Sequence, residues 1–328
     1  MRLRAPVVAL VALLAAASAG RGSEPPPIAR RVVSLNPSLT EMLVAIGAGP
    51  ALVGVDEYSA RLQPDLRSLP TVGGLFNPSL EAVLALEPDL VVLVPGAHQR
   101  DLAHRLEVLG VVVLQLPNIT LDQVLGSLEA LGRRVGHGAE ARERVADIRG
   151  AWREVEREAA GRPRVRAVLV IQRDPLYVVG RGSFIDAMLR AAGGENPAAA
   201  FPEPYPRAAV EWLIEAAPQV ILDATDDPEE PQRHWSRWPS LPAVAFGRTL
   251  AIPADIVRPG PYLDRSLRLL ARALQRPGLE TRKPAQPARS EPEASEVGGG
   301  EPAQPARSEP EASEVGGGEP AQPALVAP

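Results

Sequence analysis

The chain runs to 328 residues with no cysteine, a formal net charge of −5 and only 4% aromatic side chains. The missing cysteine excludes disulfides, thiolate metal sites, cysteine nucleophiles and a lipidated cysteine anchor. Residues 277–328 hold nine acidic and four basic side chains, which leaves 31 of each elsewhere and excludes an overall charge that would recruit nucleic acid or an anionic membrane.

At the N-terminus, Arg2 and Arg4 precede an apolar run from Ala5 to Ala17, and Ala17-Ser18-Ala19 offers small residues for cleavage. This predicts a secretory signal peptide over residues 1–19 and a linker over 20–30. The run is too short for the ~30 Å hydrocarbon layer, so the mature chain is expected in a periplasm, without a lipid anchor.

Residues 31–137 alternate apolar β-branched runs with helical stretches, as buried parallel strands covered by helices do. Strands are predicted over Arg31–Leu35, Leu52–Val55, Leu90–Val94 and Val111–Leu116. Helix starts are read at a Ser38/Glu41 capping box, at Asn77 with Pro78 following, and at a Thr120/Gln123 box; Gly47 and Gly110 read as stops. Residues 138–160 carry Val145, Ile148, Trp152, Val155 and Ala159 at spacings of three and four, which predicts one long amphipathic helix over Ala139–Ala160.

The same pattern resumes in residues 161–276, with strands near Ala167–Ile171, Gln219–Asp223 and Thr249–Ile252 and helices near Phe184–Ala192, Ala208–Ala216 and Tyr262–Gln275. The fold class is therefore α/β: two Rossmann-like lobes joined by one long helix. From Pro277 the chain turns to repeats: Pro284–Glu301 recurs letter for letter as Pro302–Glu319. Rich in Pro, Glu, Ser and Gly, residues 277–328 are expected to be disordered, as a spacer or as a partner-binding tail.

An internal repeat ties the lobes together. Ser79–Val94 (SLEAVLALEPDLVVLV) aligns without gaps on Ala209–Ala224 (AVEWLIEAAPQVILDA), 130 residues on, so that Glu81 falls on Glu211 and Pro88 on Pro218. Glu near a helix start is favoured by the macrodipole alone. Two such carboxylates on two similar lobes also suit a two-fold partner carrying basic residues.

The segments SLNPSLTEMLVAIGAG, LVGVDEYS and LPTVGGLFNPSLEAVLALEPDLVV, with GGENP (Gly193–Pro197) and RPGP (Arg258–Pro261), resemble the periplasmic vitamin B12 (cobalamin)-binding family of ABC importers, over roughly residues 31–275. That family belongs to a helical-backbone group of receptors for B12, siderophores and haem. The resemblance implies a ligand cleft between the lobes, little closure, and docking on an ABC permease dimer, with its ATPase subunits, through one glutamate per lobe: Glu81 and Glu211 here. It also implies aromatic contacts to a corrinoid or another small metal-chelate ligand. Tyr58 matches a cleft aromatic of the family, and Phe76, Tyr177, Trp235, Trp238 and Tyr262 are further candidates in loops after strands or before the last strand. Where relatives often carry a tryptophan after the LVVL strand, this chain has PGAHQ; His98 there is read either as a ligand to a chelated iron or cobalt or as a solvated loop residue. Arg258 either binds a ligand carboxylate or amide or braces its loop.

The alternatives are a receptor for ferric siderophore or haem, a sensor, and a chelatase-like enzyme. His98, His104, His137 and His234 form no H-x-H or H-x-x-x-H pair, which argues against a bare metal site. No G-x-S-x-G, phosphate loop or H-E-x-x-H assembles a catalytic site. The expectation is a monomeric binding protein with no cofactor, no metal of its own and no nucleic-acid partner.

Overall fold

The computed structural model describes residues 27–275, apart from the His98 side chain. The predicted signal peptide and repeat tail lie outside the described residues. Two compact units are present: the chain through Gly150 together with Pro259–Leu263, and Ala151–Arg258 together with the chain from Asp264. No helix among the described residues is long and apolar enough to cross a membrane.

The first unit contains β1 (Val32–Ser34), α1 (Pro37–Ala45), β2 (Leu52–Val55), α2 (Glu57–Leu62), α3 (Leu80–Ala85), β3 (Leu90–Leu93), α4 (Ala97–Val108), β4 (Val113–Gln115), α5 (Leu121–Val135) and most of α6 (Gly138–Ala159). Its sheet has the order β2-β1-β3-β4 and is parallel throughout. Parallel strands need helical crossovers that cover both faces, which is why Val32, Val33 and the whole of β3 are buried. Val33, Val83, Val91, Leu93 and Leu106 lie in one apolar cluster beneath α3 and α4.

The second unit holds β5 (Val165–Gln172), β6 (Tyr177–Val178), α7 (Phe184–Ala191), β7 (Gly194–Glu195), α8 (Val210–Ala216), β8 (Val220–Asp223), α9 (Pro231–Trp235), α10 (Pro242–Ala245), β9 (Thr249–Ala251) and α11 (Leu263–Leu274). The order β6-β5-β8-β9 is parallel except for the antiparallel β6, and β7 pairs with the start of β5. Val168, Val170, Leu213, Ile221 and Trp235 share its core.

Two helix starts correct the sequence reading. Both lie in the tripeptide Asn-Pro-Ser, at 36–38 and 77–79. In the first, Asn36 caps α1 by accepting from the Ser38 N–H at 3.0 Å, with Pro37 at the first helical position; the buried Ser38 Oγ finds no partner among the described residues, so no Ser38/Glu41 box forms. In the second, Ser79 rather than Asn77 is the cap. Pro78 is bridged to Gly73, and the Ser79 N–H donates to the Val72 carbonyl at 2.7 Å, which holds the chain extended until Ser79. The Thr120/Gln123 box is present, and Gly47 and Gly110 take φ of 83° and 82° after α1 and α4. In α6 the buried stripe is Ala141, Val145, Ile148, Ala151 and Val155; Trp152 stands half-buried beside it.

The repeat extends further than the alignment. Strands β3 and β8 begin and end at positions 130 apart. The non-glycine residues with positive φ among the described residues, Glu87 at 45° and Ala217 at 43°, are also 130 apart, each directly before a proline. Sheet registers make Arg31 equivalent to Arg166. Each guanidinium reaches the end of the helix ahead: Arg31 donates to the carbonyls of Leu86 (2.6 Å) and Glu87 (2.9 Å), and Arg166 to that of Ala216 (2.7 Å). Each backbone N–H donates to the side chain before the next strand, Arg31 to Asp89 at 3.0 Å and Arg166 to Gln219 at 2.9 Å. Carbonyls that a helix end leaves orphaned are thus met by the same residue type in both lobes.

Candidate functional site

In a doubly wound sheet the loops beyond the carboxyl ends of the strands are the usual place for a ligand, and most of the candidates sit there. In the first unit, Asp56 follows β2 and caps α2, which sets half-buried Tyr58 in the first turn; the Arg61 guanidinium lies 4.3 Å from the Tyr58 ring centre. Phe76, 48% exposed, sits on the next turn. Two bonds fix that turn: the Glu57 N–H donates to the Gly73 carbonyl at 3.1 Å, and Gln99 Nε2 donates to the Leu75 carbonyl at 2.8 Å. The turn carrying Phe76 is therefore tied to the starts of α2 and α4, the helices that carry Tyr58 and His98. Tyr262 belongs to the same unit, with Arg144 5.6 Å from its ring centre and donating to the Pro261 carbonyl at 2.7 Å.

Beneath Tyr58 lies a buried polar cluster. Thr40 Oγ1 is 2.8 Å from both Ser34 Oγ and Ser59 Oγ, and Asp56 accepts from the Ser59 hydroxyl and, at 2.9 Å, from the Ser59 N–H. Burial pushes the Asp56 carboxyl above its ordinary range, and the bonds from Ser59 pull the other way.

The second unit supplies Tyr177, Trp235, Trp238 and Arg258. Tyr177 is half-buried on β6 and bridged to Arg207, in a strand rather than the expected loop. Arg258 is half-buried and ends a 3-10 turn over Ala254–Val257 after β9. Trp235 is the clear correction: at 1% exposure it packs in the core, and its Nε1–H donates to Asp223 Oδ2 at 2.7 Å, so no face is left for a ligand. Trp238 is half-buried with its ring centre 5.7 Å from those of Trp235 and His234. Trp212, read as a packing residue, lies 5.0 Å from Phe201.

Sequence reasoning missed the group that holds this corner. Asp223 ends β8, and Arg173 follows β5; their side chains are 0% and 3% exposed and meet at 3.0 Å. Arg173 also reaches the Glu229 carbonyl at 2.7 Å and Asp227 at 3.3 Å. Beyond it, Glu229 accepts from Arg237 at 2.9 Å and meets His234 at 3.2 Å; burial raises its carboxyl, but the hydrogen bonds with His234 and Arg237 and the Arg237 charge outweigh that and leave it below its ordinary range. An ionisable residue ending the apolar run VILD was the available signal. Among the described residues no group of three His or carboxylate side chains is placed to hold a metal ion.

Glu81 and Glu211 lie in the first turns of α3 and α8, at equivalent positions, and both are exposed. The N–H at its own helix start and the Ser79 hydroxyl, 3.2 Å away, hold the Glu81 carboxyl below its ordinary range.

The chain matches the periplasmic binding protein family over residues 32–256. It is 30% identical over 237 residues to a vitamin B12-binding protein of Vibrio cholerae, covering 71% of this chain and 84% of the relative. A vitamin B12-binding protein of Salmonella typhimurium is 29% identical over 218 residues, 66% of this chain and 81% of that one. Among solved structures, the periplasmic vitamin B12-binding protein of Vibrio cholerae superposes with a TM-score of 0.66 at 26% identity, covering 76% of this chain and 98% of its own. A periplasmic haem-binding protein of Pseudomonas aeruginosa gives 0.63 at 28%, covering 75% and 93%. With two α/β lobes built on one plan and a match across more than half its length, the chain belongs to the periplasmic binding protein family.

Proposed function

We propose that this protein captures a corrinoid in the periplasm and delivers it to an ABC importer, docking on the permease through Glu81 and Glu211. The observation that carries the ligand class is the roughly 30% identity to vitamin B12-binding relatives over most of both chains. Delivery is supported by the two exposed carboxylates at equivalent first-turn positions of α3 and α8. Tyr58, Phe76, His98, Tyr177, Trp238, Arg258 and Tyr262 are the proposed ligand contacts. Trp235 is withdrawn from that set.

Isothermal titration of the purified protein with cyanocobalamin, cobinamide, haem and a ferric siderophore decides the ligand. Binding of at least one corrinoid is expected, and binding of neither removes the reading. Haem is the second reading, favoured by the 28% identical haem-binding structure; haem binding without corrinoid binding selects it. For docking, Glu81→Lys with Glu211→Lys is expected to abolish ligand uptake through the cognate importer while leaving affinity unchanged. A fall in affinity would place these carboxylates at the ligand instead.

A further inference from the structure

The long connection from Ala224 to Leu241 carries only one short helix, α9, yet it is held from beneath at a buried charged node, Asp223 with Arg173, beside the more exposed group of Glu229, Arg237 and His234. Asp223 Oδ2 accepts from Arg173 Nε at 3.0 Å and from Trp235 Nε1 at 2.7 Å, while Oδ1 accepts from the Thr225 hydroxyl at 2.7 Å and the Thr225 N–H at 3.2 Å. Arg173 Nη1 adds a bond of 2.7 Å to the Glu229 carbonyl. One buried ion pair therefore fixes the connection at its start, its middle and the end of α9. Trp238 has no place in that node. It rests on Trp235, with ring centres 5.7 Å apart and planes at 48°, and stays half-buried.

We infer that Asp223 and Arg173 are positioning residues for the ligand site: they lock Trp235 in the core so that Trp238 is presented in one orientation as the aromatic wall of the second lobe. This rests on the corrinoid reading above. The physical ground is that a large flat ligand gains most from aromatic faces whose orientation is set before it arrives, since ordering them on binding would consume part of the affinity.

Replacing both partners by apolar residues separates positioning from stabilisation, because a buried ion pair exchanged for a hydrophobic pair commonly keeps or improves stability. Arg173→Met with Asp223→Leu leaves no buried charge but deprives the Trp235 N–H of its acceptor, so it is expected to stay folded with a somewhat lower melting temperature and to bind cyanocobalamin about tenfold more weakly. Without ligand, the indole N–H resonance of Trp238, assigned through Trp238→Phe, should be sharp in the parent and broadened or shifted in the double variant, with Trp152 and Trp212 unchanged. Parent-like affinity together with an unchanged Trp238 resonance overturns the inference. If the double variant does not fold, Trp235→Phe decides, since it keeps an aromatic ring in the core while removing the indole donor together with its five-membered ring. A weakening of about threefold with a moved Trp238 resonance is expected, and no change in either overturns it. Failure of the parent to bind either corrinoid would instead remove the ligand reading, while the ligand-free resonance would still test the positioning.

Discussion

The two lobes share a framework and differ at the strand ends where a ligand would sit. Arg31 and Arg166 close equivalent helix ends, and Glu87 and Ala217 take the same left-handed turn before a proline. At the carboxyl ends of the strands the likeness stops. The first lobe buries a hydroxyl cluster ending on a single carboxyl, Asp56, whereas the second buries an ion pair, Arg173 with Asp223, that also holds a tryptophan. Backbone geometry dictates the repeated part, because any helix entering a parallel strand through a Pro turn leaves the same carbonyls to be met. The strand-end residues are free of that demand, and there the lobes have taken up different chemistry.

The largest test of this contrast is Asp223→Ala. Arg173, 3% exposed, would keep its cation without its main counter-charge, and breaking one side of a buried pair typically costs about 3–5 kcal/mol. Urea unfolding followed by circular dichroism should show a loss of that order. A loss under ~1 kcal/mol would mean that Asp227 and the Glu229 carbonyl suffice for Arg173, and that the ion pair is no firmer than an ordinary polar contact.

A smaller effect probes the shared part. Left-handed geometry is unfavourable for residues with a Cβ, and glycine relieves it at the expense of a freer unfolded chain, for a net gain of about 0.5–1 kcal/mol. Glu87→Gly and Ala217→Gly should each raise the unfolding midpoint, by similar amounts. A gain at one site only would show that the two turns are equivalent in shape but not in energy.

Most of the framework could be read from the chain. Apolar runs located the strands of the first sheet and β5, β8 and β9 of the second, though not the two-residue β6 and β7, and the 130-residue repeat anticipated equivalent helix, turn and strand segments. The turn conformation itself was hidden, because neither Glu87 nor Ala217 is the glycine that would announce it. Caps were misread where Asn, Pro and Ser stand together: all three suit a helix start, and only the bridge from Pro78 to Gly73 decides between them. The candidate site was less legible. Residue type nominates Trp235 and Trp238 equally, but burial against β8 separates them, and that depends on the partner Asp223, whose role spacing does not reveal.

The smallest change at neutral pH, and the sharpest contrast with Asp223, is expected from Asp56→Asn. Asp56 has a carboxyl raised by burial and held by the Ser59 hydroxyl and by backbone N–H groups of its own helix start, without the cationic partner that Asp223 has. An asparagine at this position can still accept from the Ser59 N–H through its carbonyl, and its amide can donate to Ser59 Oγ. The Ser59 hydroxyl is then free to donate to Thr40, 2.8 Å away, and Thr40 to Ser34. Stability at pH 7 should therefore stay within ~1 kcal/mol of the parent or rise. The pH dependence should differ. A carboxyl raised on folding binds its proton more tightly in the folded state, so its contribution is fully present below the unfolded value near 4 and is lost as pH rises through the folded value. Unfolding free energies measured from about pH 4 to pH 7 should accordingly fall further for the parent than for Asp56→Asn. Parallel curves would mean that Asp56 titrates alike in both states, and that the first lobe's strand end is as tolerant of charge as the second's.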